Sequence, residues 1–238
     1  MALPQLSVKQ FEVRQPSTGE KLTLRPFLVS EEKILLQAGE QPDTMMDAMK
    51  QVLKNCIIGQ DIDLEQLPSF DIEFLFLQLR SESIGSQVPL MIQHTDKCER
   101  TEVTVNLREI KVHMPKDLEN EFMLDDRVGI KMKYPTLAVM GEFANFNEET
   151  DNAAEMSFEM IKKCIETIFT KDGETHDASQ TSDEELTAFV DSMNTDQFLK
   201  LQKFFDEMPV VKHTIKVPKC VTCGAPFEQE VQGIQSFF

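Results

Sequence analysis

The sequence predicts an α+β protein made of two tandem homologous halves, residues 1–115 and 116–238. Three observations predict this fold class. Some stretches alternate apolar and polar residues around a turn, others repeat apolar residues every three or four positions, and a set of residues recurs at a constant displacement. We therefore expect each half to contain a β-hairpin, amphipathic helices and a C-terminal hairpin whose turn carries candidate metal ligands, which we call a knuckle.

The first half is predicted to open with a hairpin and two helices. Alternating apolar residues around a turn at residues 16–19 predict a hairpin over residues 11–27. Ser30, followed by acidic residues, predicts the N-cap of the first helix. The second helix is expected to begin at Asp43 or Thr44. Six residues at helical spacing form its buried face: Ala48, Met49, Val52, Leu53, Cys56 and Ile57.

The first half is predicted to end with a buried helix and a second hairpin. The run at residues 70–79 is almost continuously apolar and lacks turn residues, which favours a helix over a strand. Residues 88–92 and 103–107 are predicted to be the two strands of a hairpin, and they flank a segment that contains His94 and Cys98. This hairpin would carry the first knuckle.

The second half repeats residues of the first half at two displacements. Val52, Leu53, Lys54, Cys56 and Ile57 recur 108 positions later as Met160, Ile161, Lys162, Cys164 and Ile165. Leu22 and Leu24 correspond to Ile130 and Met132 at the same displacement. Asp71, Phe74 and Cys98 correspond to Asp196, Leu199 and Cys223 at a displacement of 125. The 17 additional residues are assigned to the polar, acidic segment 171–185, for which we expect a surface loop.

Composition and charge exclude several classes of function. Lys and Arg total 24 against 41 Asp and Glu, a net charge of −17, and nucleic-acid binding needs a local excess of cations. No apolar run approaches the roughly 18 to 20 residues that span a bilayer, and no signal sequence is recognisable, so we expect no membrane insertion and no secretion. No nucleophile elbow, phosphate loop, dinucleotide turn or HExxH helix is present, and an enzyme is not predicted.

The most specific local motif is Cys220-Val221-Thr222-Cys223-Gly224. Two thiolates at this spacing can share a zinc ion, and the glycine permits a tight turn. Zinc needs four ligands, and the corresponding segment of the first half offers His94 and Cys98. The sequence therefore predicts a structural Cys3His zinc site formed by His94, Cys98, Cys220 and Cys223, which would lock distant parts of the chain together.

Other interpretations of the cysteines remain open. The knuckle could be vestigial and bind no metal, His213 could replace His94, or Cys220 and Cys223 could be a redox pair. The redox hypothesis is weaker, because such a pair normally opens a helix whereas a strand-like segment follows here. Cys56 and Cys164 lie on apolar helix faces and are interpreted as structural thiols.

The aromatic pair at Phe237 and Phe238 follows Gly233 and Ile234. Two explanations fit such a segment: it folds back onto its own domain, or it anchors another protein.

Three groups of motifs occur in order along the chain. The first contains Pro16-Ser17-Thr18-Gly19, Arg25-Pro26-Phe27 and Glu31-Glu32-Lys33-Ile34-Leu35-Leu36, and the second is the run at residues 70–80. The third is Cys220-x-x-Cys223-Gly224 followed by Gly233-Ile234-Gln235-Ser236-Phe237-Phe238. In this order they resemble the baseplate hub-assembly proteins of T4-like contractile-tailed bacteriophages. The resemblance covers most of the chain and is weakest between residues 120 and 180.

The resemblance implies a phage structural or assembly protein and no enzymatic activity. Such a protein would act as a hub assembly factor or as a minor component of the baseplate. Its expected partners are phage baseplate hub and tail proteins, and its expected location is the host cytoplasm during phage assembly or the virion baseplate. The sequence does not determine the oligomeric state.

Two rival functions come from other classes. A zinc-dependent or carboxylate hydrolase associated with the phage tail would need an open metal position or a carboxylate pair in a cleft. A host-directed zinc-ribbon regulator would need a basic patch, which the sequence lacks.

Overall fold

Short helices and small antiparallel sheets follow one another along the chain, so the protein is α+β as predicted. The structure, a computed structural model, describes residues 6–39, 45–115, 118–143 and 153–234. Its strands are β1 (Phe11–Arg14), β2 (Lys21–Leu24), β3 (Gln87–Gln93), β4 (Arg100–Asn106), β5 (Lys111–His113), β6 (Glu121–Met123), β7 (Val128–Met132), β8 (Ile165–Thr170), β9 (Thr175–Asp177), β10 (Val210–Val217) and β11 (Phe227–Gln232). Its helices are α1 (Val29–Gly39), α2 (Met45–Cys56), α3 (Ser69–Ser83), α4 (Leu137–Glu142), α5 (Ala153–Lys163), α6 (Asp183–Asp191) and α7 (Thr195–Asp206).

The described residues form two compact units. Unit 1 is drawn from Met1–Leu64, Phe70–His113 and Val210–Phe238, and unit 2 from Glu65–Ser69 and Met114–Pro209. The second knuckle is part of unit 1, because β10 pairs with β5 at the end of the first half and with β11 on its other side. The compact units therefore differ from the predicted halves, 1–115 and 116–238, in where this last segment packs. The homology of the two halves stays a prediction.

The core of unit 1 is built largely from α2 and α3. Five of the six residues predicted to form the buried face of α2 are buried: Ala48, Met49, Val52, Leu53 and Cys56. The sixth, Ile57, follows the end of the helix, is half-buried and pairs with Leu24, so its assignment to the helix is wrong. The run predicted as a buried helix is α3, which begins at Ser69 and has the fully buried Asp71 in its first turn. Asp71 accepts hydrogen bonds from the Gln15 side chain at 2.8 Å and the Ser17 N–H at 3.0 Å. These bonds tie the segment between β1 and β2 to α3.

The start of α1 differs from the prediction. Ser30 lies inside the helix, which already begins at Val29, so its interpretation as N-cap is wrong. The residue before the helix is Leu28, and its N–H donates to a carboxylate oxygen of Glu31 at 2.7 Å. Glu31 is buried and also pairs with Arg25 at 3.1 Å. The predicted start of α2 at Asp43 or Thr44 lies outside the described residues.

Two hairpins in unit 1 carry the candidate ligands. β3 and β4 pair antiparallel over seven residues each, which confirms the predicted second hairpin. β10 and β11 form the other hairpin and are two strands of the sheet ordered β11-β10-β5. Both hairpins are antiparallel, so each leaves a short turn between its strands, and the candidate ligands lie at these turns.

Unit 2 is organised around a four-stranded antiparallel sheet, ordered β6-β7-β8-β9. The buried residues of its core come from the sheet, from α4 to α7 and from the segments between them: Leu124, Ile130, Met132, Val139, Ile161, Cys164, Ile165, Ala178, Leu186, Val190, Leu201 and Phe204. The segment 171–185, predicted as a loop, instead contains β9 and the start of α6. That prediction is wrong because β9 pairs with β8, and because Ser182 and Glu185 form a capping box that begins α6.

Membrane-spanning helices are not found in the described parts of the chain, where every helix is too short or too polar to cross a bilayer.

Candidate metal centre

The structure brings four predicted ligands together in unit 1. The ligand atoms of His94, Cys98, Cys220 and Cys223 all lie within 4.8 Å of one another. In a tetrahedral zinc site, neighbouring ligand atoms are about 3.5 to 3.8 Å apart. The observed cluster is thus close to the dimensions of a metal site, and small side-chain rotations would complete it. These residues could hold a metal ion.

The first knuckle places His94 and Cys98 at the turn between β3 and β4. His94 directly follows the last residue of β3, and the N–H of Cys98 donates to the carbonyl of Thr95 at 2.9 Å. The Thr95 hydroxyl donates to the Cys98 sulfur at 3.2 Å. The Gln93 side chain donates to the Cys98 carbonyl at 2.9 Å. This small turn fixes both candidate ligands on the same side of the hairpin.

The second knuckle is a tight turn in which two backbone N–H groups donate to the Cys220 sulfur. The N–H of Gly224 donates to the Cys220 carbonyl at 3.0 Å, and Gly224 has a φ of 74°, a conformation that favours glycine. The N–H groups of Cys223 and Thr222 also donate to the Cys220 sulfur and lower the pKa of this thiol to about 6. This lowering favours the thiolate form of Cys220, which is the form that binds a metal.

Cys223 is the exposed cysteine of the cluster. A hydrogen bond from the N–H of Ala225 lowers its pKa, but burial and the neighbouring Cys220 and Cys98 sulfurs together hold its pKa above the ordinary value. Two adjacent sulfurs cannot both carry a negative charge without repulsion. A bound divalent cation would remove that repulsion.

Direct contacts also join the two knuckles. The Nδ1 atom of His94 lies 3.3 Å from the Cys223 sulfur, and the His94 ring stacks on Phe227 with a centroid distance of 4.6 Å. The N–H of Glu99 donates to the Thr222 hydroxyl at 2.8 Å. The N–H of Val221 donates to the Thr101 hydroxyl at 3.3 Å. The cluster is therefore preorganised by the polypeptide itself.

The alternatives left open by the sequence can now be compared with the geometry. His213 lies on β10, paired with Val231, and is not a member of the His/Cys cluster in the described part of the chain. Cys220 is followed by a turn and by β11 instead of a helix, an arrangement unlike that of a redox pair. Four protein ligands leave no open coordination position, which is the pattern of a structural site.

The other two cysteines are far less reactive. Burial raises the pKa of Cys56 to about 11 and that of Cys164 to about 12. Both residues are fully buried. Thiols with such values stay protonated at neutral pH, in agreement with their interpretation as structural residues.

Sequence reasoning missed the residues that support the cluster. Thr95, Thr101 and Thr222 each bond a ligand or the opposite knuckle, and Phe227 supports the His94 ring. Threonines within the knuckles were a weak signal, because a hydroxyl in a turn most often bonds its own local backbone.

Comparison with known proteins identifies the family. The sequence model of the family described as T4 bacteriophage base plate protein matches residues 8–238. Searches of curated proteins and of solved structures gave no match. Since the family match spans nearly the whole chain, this protein belongs to the T4 bacteriophage base plate protein family.

Proposed function

We propose that the protein is a hub assembly factor or minor structural component of the phage baseplate, which acts by binding other hub and tail proteins. The observation that carries this proposal is the family match over residues 8–238. The resemblance of the ordered motifs to hub-assembly proteins narrows it from the baseplate to the hub. The protein would act in the host cytoplasm during assembly or remain in the virion baseplate.

A role in binding is supported by the character of the candidate metal centre. Its four ligands are protein side chains, so a bound metal would stabilise the fold and would not activate water. No specific observation favours the hydrolase hypothesis.

The metal at this centre would be zinc. Three thiolates and one imidazole form a donor set that zinc prefers, and backbone N–H groups favour the thiolate form of Cys220. The ligands His94 and Cys223 are 129 residues apart. Binding would therefore close a long loop, and its free energy would add directly to the stability of unit 1.

Metal analysis of the purified protein tests the zinc site. We expect about one equivalent of zinc in the wild type and a strong reduction in Cys223→Ser, because the variant loses a ligand. Cys164→Ala is the matched control, since it removes a buried thiol outside the cluster. Zinc below about a tenth of an equivalent, unchanged by Cys223→Ser, would contradict the proposal.

Affinity purification from infected cells tests the function. A tagged copy should recover phage hub and tail proteins, and mass spectrometry of purified virions should show whether the protein remains in the particle. The recovery of host enzymes alone, or of nothing, would argue against a baseplate role.

A further inference from the structure

The outward face of α1 carries exposed apolar residues at both ends. Four residues at positions i, i+3, i+4 and i+7 turn inward and are buried or half-buried: Glu31, Ile34, Leu35 and Ala38. Four others with the same spacing turn outward and are all exposed: Val29, Glu32, Lys33 and Leu36. Val29 is 66% exposed and Leu36 67%, the largest exposures among the large apolar residues of the described helices.

This outward face is complementary to itself. If two copies of α1 lie antiparallel about a two-fold axis between residues 32 and 33, each Val29 faces Leu36 of the second copy. In the same arrangement each Glu32 faces Lys33 of the second copy. The apolar residues thus meet at both ends, and two ion pairs form in the middle. A two-fold contact requires this kind of self-complementary patch.

The charge distribution favours association through unit 1. The residues of unit 1 include 15 Lys and Arg against 18 Asp and Glu, a net charge of −3. Those of unit 2 include 9 against 23, a net charge of −14. Two copies of so acidic a protein repel each other least where their nearly neutral units meet.

The corresponding helix of the second half lacks this face. At the displacement of 108 residues, Glu32 and Lys33 correspond to Met140 and Gly141 on α4. That helix has only six residues. Neither the ion pairs nor the spacing of the apolar ends is repeated, so α4 does not present the self-complementary face of α1.

We propose that two copies of this chain associate through antiparallel α1 helices. The occupant of the exposed face is therefore a second copy, with Val29 packed on Leu36 and Glu32 paired with Lys33. The contact consists of one 11-residue helix on each partner, which is small beside the about 800 Å² per partner of a standard interface, so we expect a weak dimer whose population depends on concentration. The proposal does not depend on the baseplate function.

Sedimentation of the purified full-length protein over a wide concentration range tests the dimer. We expect a monomer–dimer equilibrium in the wild type and a dissociation constant at least about tenfold higher for Leu36→Asp. Met91→Asp, which changes a residue of unit 1 that is 57% exposed on β3, is the matched control and should dimerise as the wild type does. A wild type that stays monomeric up to about 0.5 mM would overturn the proposal, and so would a dimer that Leu36→Asp leaves intact.

Charge exchange tests the antiparallel geometry. Glu32→Lys alone and Lys33→Glu alone each place like charges opposite each other, so both variants should dimerise more weakly than the wild type. An equal mixture of the two should form a heterodimer, because every Lys then faces a Glu. Glu184→Lys and Lys171→Glu make the same net changes on unit 2 and should show no such preference for each other. Failure of the two variants to form a mixed dimer would refute the arrangement. So would a Leu36→Asp variant that still dimerises but no longer binds a baseplate partner.

Discussion

At the scale of single residues, Gly129 on β7 leaves room for the Phe169 ring to pack against the backbone of β7. Its partner in the β7–β8 register is Phe169. A Cβ atom at position 129 would lie 2.3 Å from the Phe169 ring and 2.9 Å from the Met123 sulfur. The aromatic ring thus covers the space that a side chain would occupy.

We expect Gly129→Ala to lower the free energy of unfolding by about 1 to 3 kcal/mol, because Phe169 and Met123 must move away. Chemical denaturation measures the change. Gly141→Ala on α4 is the control, since no atom lies within 4 Å of its added methyl group and alanine favours a helix. If Gly129→Ala is as stable as the wild type, the prediction is wrong, because the Phe169 ring can then move aside without a loss of stability.

Glu73 on α3 is half-buried and accepts a hydrogen bond from the N–H of Ile234, which is itself 5% exposed. This contact shows that the chain folds back onto unit 1 as far as Ile234. Of the two explanations offered for the last residues, the described part therefore agrees with the first, while Phe237 and Phe238 lie outside it. Burial raises the pKa of Glu73 from 4.5 to about 7.

This shift predicts a pH-dependent stability. The folded state holds the proton of Glu73 more tightly than the unfolded state, so the stabilisation is complete below the unfolded pKa of 4.5 and is lost as the pH rises through 7. Between about pH 5.5 and about pH 8.5, the wild type should lose about 2 kcal/mol more than Glu73→Gln. Urea denaturation measures both slopes, with the exposed Glu102→Gln as control. Equal slopes for wild type and Glu73→Gln would contradict the prediction.

At the scale of elements, the two halves share more than side-chain identities. The N–H of Arg25 donates to the Cys56 carbonyl at 2.9 Å, and the N–H of Lys133 donates to the Cys164 carbonyl at 2.8 Å. Leu24 pairs with Ile57, and Met132 pairs with Ile165. Both sets of contacts are related by 108 positions. We propose on this basis that the halves arose by duplication of one hairpin-and-helix module.

The start of α6, which lies in the segment interpreted as an insertion, contacts Lys162 on α5. Lys162 is 5% exposed, and its ammonium group pairs with Glu159 at 2.8 Å and with Asp183 of α6 at 2.9 Å. It also donates to the Thr187 hydroxyl at 3.1 Å. One buried cation thus links α5 to α6.

We expect Lys162→Met to destabilise the protein by about 1 to 2 kcal/mol and to increase amide exchange in α6, because the helix loses its charged hydrogen bonds to α5. Lys54→Met is the control, since the corresponding lysine of the first half is exposed and should change stability by less than about 0.5 kcal/mol. Unchanged exchange in α6 would mean that apolar packing alone holds it.

At the scale of the whole molecule, the candidate metal centre and most of the net charge lie in different units. Unit 1 contains the candidate metal centre and little net charge, whereas unit 2 carries −14 of the net charge of −17. An acidic unit repels its own copies and favours basic partner surfaces. The candidate metal centre and the proposed dimer contact both belong to the nearly neutral unit.

Removal of the metal should therefore affect the two units differently. If the protein binds zinc as proposed, a chelator should increase amide hydrogen exchange in β3, β4, β10 and β11, because the two knuckles lose the metal ion that they bind together. The strands β7 and β8 of unit 2 are the internal control and should exchange as before. An equal response in both units, or none, would contradict a structural role for the metal in unit 1.

The sequence predicted the α+β class, the helices and the two hairpins of the first half, and the four candidate ligands, because these depend on local periodicity and on residue types with specific chemistry. The sequence-based prediction was wrong where contacts with distant residues determine the local structure. The polar segment at 171–185 lacks an apolar period, yet pairing with β8 and the capping box give it structure. Thr95, Thr101 and Thr222, which support the cluster, belong to no sequence motif that could have indicated their role.

The sequence alone determined which side chains could bind a metal and which residues recur in the two halves, since both follow from residue type and spacing. Only the tertiary structure decided that the last hairpin packs in unit 1, because that depends on the pairing of β10 with β5. The same pairing places Cys220 and Cys223 beside His94 and Cys98. Strand pairing between distant segments is set by the packing of the whole unit, and no local pattern encodes it.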